Sequence, residues 1–145
     1  MAKVHHSAIC VRDVEASLRF WRDGLGFEVL MDSSFDGDWD ALFSAGSGRL
    51  RSIFLGAPGD ESAGIVELVD FGTELDDAPA SGSPAAPPAE GFLLLSVSCD
   101  VAATLARLEE LGVGGEPRRI SAYGVTMVVV REPSGLRVEL IDLPA

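Results

Sequence analysis

The chain has 145 residues, 47% of them hydrophobic, and a formal net charge of −12 from 23 acidic against 11 basic residues. That length fits one compact domain, residues 1–145, burying roughly 68–70% of its unfolded surface. The acidic excess argues against nucleic-acid or anionic-membrane partners, and no apolar run approaches the ~18 residues of a membrane span. Two cysteines, Cys10 and Cys99, are too few for a disulfide framework. The N-terminus has no basic stretch leading into an apolar one, so a cytoplasmic protein is expected.

Val4 to Val11 reads as a strand, with His6, Ala8 and Cys10 on one face and His5, Ser7, Ile9 and Val11 on the other. His5 is therefore expected to point toward a packed helix. Asp13 is placed to cap a helix reaching about Asp23, with Val14, Leu18 and Trp21 at helical spacing and Gly24 and Gly26 behind it. Phe27 to Asp32 reads as a strand, and a short helix follows Asp38. Leu50 to Leu55 and Ile65 to Asp70 read as strands joined across a loop rich in Gly, Pro and Asp. Residues 72–91 contain a run of Ala, Pro, Ser and Gly over 78–89 that suits a linker. Beyond it come a strand over 92–98, a helix over about 100–111, and strands over 116–120, 125–131 and 136–142.

The halves repeat. Phe92 follows His6, Val97 follows Val11 and Leu111 follows Leu25 by the same 86 residues (92 − 6, 97 − 11, 111 − 25). Each half closes on a strand-borne Glu-Leu pair at Glu67 and Glu139. The expected fold is therefore α+β. It has two tandem βαβββ modules, residues 1–71 and 92–145, forming a pseudo-symmetric, partly open barrel-like sheet around a cavity.

Glu67 and Glu139 each stand mid-strand between apolar neighbours, where an unpaired buried carboxylate would be costly. With His6 they make a reasonable ligand set for a divalent ion such as Zn²⁺, Ni²⁺, Mn²⁺, Co²⁺ or Fe²⁺. Small residues at Ala8 and Cys10 leave space beside His6. Phosphate loops, nucleophile elbows and Cys-x-x-Cys pairs are absent from the sequence.

The segment from His6 through Arg12-Asp13 to Leu25-Gly26-Phe27, together with Pro133-Ser134-Gly135 through Glu139-Leu140-Ile141, resembles the opening and closing signatures of the vicinal oxygen chelate superfamily. That superfamily includes glyoxalase I, epimerases, extradiol dioxygenases and bleomycin-binding resistance proteins. The resemblance implies that His6, Glu67 and Glu139 occupy metal-ligand positions, with Phe92 where a further ligand, usually His, would stand. It implies two functions. One is a metal-dependent isomerase, epimerase or lyase acting on a small oxygen-rich substrate through an enediolate-like intermediate, with Glu139 moving a proton. The other is a metal-free binding protein that sequesters an antibiotic or senses a metabolite. In either case Phe92, Cys10, Tyr123 and Trp39, with Phe43 and Phe54, are candidate cavity residues, and a homodimer is expected.

Overall fold

The computed structural model describes residues 1–76, 88 and 90–143. The segment read as a linker falls largely outside them. The first module runs β1 (His6–Cys10), α1 (Val14–Leu18) continued by a π-helical segment (Arg19–Gly24), β2 (Glu28–Asp36), α2 (Trp39–Phe43), β3 (Arg49–Gly56) and β4 (Ile65–Asp70). The second runs β5 (Leu95–Ser98), α3 (Val101–Leu111), β6 (Gly114–Ala122), β7 (Val125–Arg131) and β8 (Arg137–Ile141). Each module makes one four-stranded sheet, ordered β1-β4-β3-β2 and β5-β8-β7-β6. The strand that precedes the helix lies parallel to the last strand, and the other neighbours are antiparallel.

Local chemistry explains the helix starts. The carboxylates of Asp13, Asp38 and Asp100 each accept a hydrogen bond from the backbone N–H three residues on, satisfying a donor that a helix leaves open. Strand alternation then sorts the faces. Ile53, Leu55, Val66 and Leu68 of the first sheet share one buried core with Val128, Val130, Val138 and Leu140 of the second. Phe20, Trp21 and Leu108 from the helices complete it. The π-helical segment lets the consecutive Phe20 and Trp21 both enter this core, fully buried.

Side-chain hydrogen bonds tie the modules together. Ser17 Oγ on α1 donates to Glu132 Oε1 in the β7–β8 turn at 2.5 Å, and Arg107 Nε on α3 donates to Gly24 O at 3.0 Å. The approach of α3 is close: a Cβ on Gly24 would lie 2.5 Å from Leu108 Cδ2. Leu108 is buried and has little room to withdraw. Gly24→Ala should therefore lower stability by about 1–3 kcal/mol through overpacking, read as a lower thermal midpoint. An unchanged midpoint would mean that the helices meet less closely.

The α+β fold of two tandem modules is the expected one, and its two sheets are not closed into a barrel. The two sheets share no hydrogen-bonded strand pair among the described residues. The physical reason is the shared core, which joins the modules through their helix-covered faces. The register differs from the expected one. Ala8 pairs with Glu67 and Ser96 with Glu139, so the strands correspond at an offset of 88 (96 − 8) rather than 86. One residue enters the repeat between β1 and its helix, where Val11 bonds to Val69 and Cys99 to Ile141 ahead of caps Asp13 and Asp100. Another enters within the first helix: with its π-helical segment, the path from cap to glycine covers 13 positions (26 − 13) against 12 in α3 (112 − 100). β5 also begins at Leu95, so Phe92 precedes the strand instead of opening it.

Candidate functional site

The outward face of the first sheet is the floor of a cavity of about 840 Å³. Register sets its floor: Ala8, Glu67, Phe54 and Met31 stand side by side across four strands. Leu50 and Ser52 continue the same face of β3. α2 rises over the sheet and supplies Trp39 and Phe43, whose rings stack with centroids 6.4 Å apart. Trp39 Nε1 donates to Phe35 O at 3.0 Å, so its polar edge is satisfied and its faces stay available. Phe71 packs on Phe43 at 6.0 Å.

Glu67 is the carboxylate on the sheet face of this cavity, and among the described residues Glu74 and Asp76 also line it. Glu67 Oε2 accepts from Ser52 Oγ at 2.5 Å, and Glu67 Oε1 lies 3.6 Å from His6 Nε2. The His6 ring packs 5.3 Å from Phe54. His5 does not point toward the helices as the alternation suggests. β1 starts only at His6, and His5 Nδ1 turns back to within 2.9 Å of His6 Nδ1. Cys10 also lines the cavity. Burial pushes its thiol pKa up, and the nearby charge of Glu67 pushes it further. The thiolate fraction at neutral pH therefore falls, which is the opposite of an activated nucleophile. Alkylation of Cys10 at pH 7.5 should be slower than that of a free cysteine, and faster in Glu67→Gln; peptide mass spectrometry measures both rates.

Glu139 stands elsewhere. It lines a second cavity, of about 900 Å³, on the outward face of the second sheet, where it accepts from Ser96 Oγ at 2.7 Å. Among the described residues, no group of three or more His, Cys, Asp or Glu is placed to hold a metal ion. The structure thus brings His6 and Glu67 together and leaves Glu139 on the other sheet. Phe92 is not a wall residue: it lies outside β5 and is 69% exposed. With the strands offset by 88, the counterpart of His6 is Leu94, and Leu94 does line the second cavity. Tyr123 is not a wall residue either. It sits at the β6–β7 turn with φ 53 and a fully exposed side chain. Trp39, Phe43 and Phe54 line the first cavity. Ser52, Met31 and Phe35 were not singled out from the sequence. Period-two alternation from Leu50 through Ser52 to Phe54 is the signal that marks Ser52.

Residues 3–140 match the family described as the Glyoxalase/Bleomycin resistance protein/Dioxygenase superfamily. The chain belongs to this superfamily. It is 33% identical to a lactoylglutathione lyase-like protein, terB, of Aspergillus terreus over 151 aligned residues, covering 97% of this chain and 75% of that one. Its fold is similar to that of a glyoxalase family protein from Bacillus cereus, with a TM-score of 0.76 and 17% identity over 98% of this chain and 94% of the other. It is also similar to an antibiotic binding protein, TnmS3, from Streptomyces sp. CB03234, with a TM-score of 0.59 and 24% identity over 99% and 98%.

Superfamily membership raises the question of a divalent ion. Within one chain the donors do not fit one: His6 and Glu67 supply a single imidazole and a carboxylate already bonded to Ser52, and Glu139 lies in a different cavity. Metal sites of this kind ordinarily take three or four protein ligands. No helix among the described residues is long and apolar enough to cross a membrane.

Proposed function

We propose that the protein binds a small molecule with a flat apolar body in the first-module cavity without using a metal, Glu67 receiving a hydroxyl or cationic group of that ligand. The observation that carries this reading is the makeup of the cavity: the Glu67 carboxylate, fixed by Ser52, shares the sheet face with Phe54, Met31 and Leu50 under the Trp39–Phe43 stack, and Glu74 and Asp76 add acidic groups to the lining. Such a site suits an aromatic ligand that carries a hydroxyl or cationic group. Aminoacridine, a planar aromatic cation, tests it. Titration should quench the fluorescence of Trp39, while Trp21 stays buried in the core. Trp39→Phe should remove the quenching, and Glu67→Gln should weaken binding by about tenfold. Quenching that survives Trp39→Phe would contradict this placement.

We further propose a homodimer. Both outward faces are open on a single chain, and Phe35, Phe43 and Ile120 remain exposed near their rims. A second copy would cover such apolar surface. A light-scattering mass near one 15.2 kDa chain would contradict it.

A lyase, isomerase or epimerase that uses a divalent ion is the second reading. The 3.6 Å approach of His6 to Glu67 and the name of the Aspergillus terreus relative favour it. It requires Glu139 to be supplied across the dimer.

A further inference from the structure

The chain leaves β4 as a strap, residues 71–76, that walls one end of the first cavity. Hydrogen bonds pin the strap on both sides. Thr73 Oγ1 donates to Ala45 O, just beyond α2, at 3.3 Å, and the Arg12 guanidinium, just beyond β1, donates to Leu75 O. Phe71 opens the strap and packs on Phe43. Held in this way, Glu74, Leu75 and Asp76 join the cavity lining, with Glu74 and Asp76 exposed at its rim.

The charges of that lining have one sign. Its ionised groups are Glu67, Glu74 and Asp76, and no lysine, arginine or histidine lines it among the described residues. Glu67 has company: Ser52 donates to one oxygen and His6 Nε2 lies 3.6 Å from the other. Arg12 meets the strap at a backbone carbonyl and is not part of the lining. Apolar walls around charges of one sign focus their field into a cleft. The rings of Phe43 and Phe71 favour a cation in addition, because aromatic faces are negative. A neutral hydroxylated ligand would gain from Glu67 alone, whereas a positively charged one gains from all the carboxylates.

Resting on the ligand-binding reading of this cavity, we infer that it selects organic cations and that Glu74 and Asp76 of the strap make the selection. Glu67 accepts a hydrogen bond from the ligand, and the strap carboxylates set the sign of the charge that the ligand carries. An anion of the same shape is turned away by the same field. Because Glu74 and Asp76 are exposed, water and salt screen them, and each contributes modestly.

Probes that share one ring system test it: aminoacridine, which is a cation, acridine, which is neutral above neutral pH, and acridine carboxylate, which is an anion. Aminoacridine should bind at least about tenfold more tightly than acridine, and the carboxylate should bind weakest. Glu74→Gln and Asp76→Asn should each weaken aminoacridine by about threefold and together by about tenfold, with acridine changed by less than about twofold. Added salt should narrow the preference of the parent protein and have less effect on the double variant. The strap is pinned through the Thr73 hydroxyl and the Leu75 carbonyl, so the variants should keep the parent's thermal midpoint. Equal affinity for aminoacridine and acridine, with Trp39 quenched by both, would overturn the selection and leave the cavity reading standing. A preference that survives in the folded double variant would overturn the role of the strap. Quenching by none of the probes would remove the cavity reading and the selection with it.

Discussion

Leu94→His should raise the affinity of the protein for Zn²⁺ or Ni²⁺ by at least about tenfold, while Phe92→His should leave it unchanged. The contrast rests on register. Ser96 pairs with Glu139 as Ala8 pairs with Glu67, so the residue two places before Ser96 holds the position that His6 holds in the first module. Phe92 lies outside the strand and exposed, and a histidine there would meet solvent. In the proposed homodimer, a histidine at 94 would add a second imidazole to His6, Glu67 and Glu139. Isothermal titration of the two variants beside the parent protein measures the difference. A gain in Phe92→His but not in Leu94→His would restore the 86-residue correspondence and refute the one seen in the strands.

Glu132→Ala should lower stability by about 3 kcal/mol, because it leaves buried partners without their acceptor. Glu132 is 1% exposed and its carboxylate accepts from Ser17 Oγ, from the Ser134 backbone N–H at 2.6 Å, and from Ser134 Oγ. Ser17 is equally buried. The carboxylate thus closes the β7–β8 turn and clamps that turn to the helix of the other module. For a chain of this length the thermal midpoint should fall by roughly 6–12 °C. Ser17→Ala should cost less, since the Ser134 bonds survive. A Glu132→Ala protein that melts with the parent would show that the clamp does not hold the modules together.

The strands and capped helices were legible in the sequence because their signals are local. Asp13, Asp38 and Asp100 each announce a helix, and β4 runs from Ile65 to Asp70 as the pattern indicates. The duplication was legible too, but its register was not. A π-helical turn adds one residue without changing the hydrophobic pattern, and the joint between β1 and α1 adds another. Counting from glycine to glycine therefore misplaces the third corner of the site by two residues, from Leu94 to Phe92. The pairing of His6 with Glu67 could be read because both lie on the outward faces of adjacent strands. The separation of Glu139 could not, since it depends on how the modules pack, and no periodicity records that. Glu132 escaped notice for a similar reason: in sequence it looks like one more acidic turn residue.

The central claim is that the first-module cavity works without a metal. The measurement that bears on it most directly is the metal content of protein purified without an affinity tag and then incubated with Mn²⁺, Ni²⁺, Zn²⁺ and Fe²⁺, read by mass spectrometry beside His6→Ala. The account predicts well below one ion per chain after dialysis, with no difference between the two proteins. Near-stoichiometric metal that His6→Ala removes would contradict it and establish the metal-dependent reading instead.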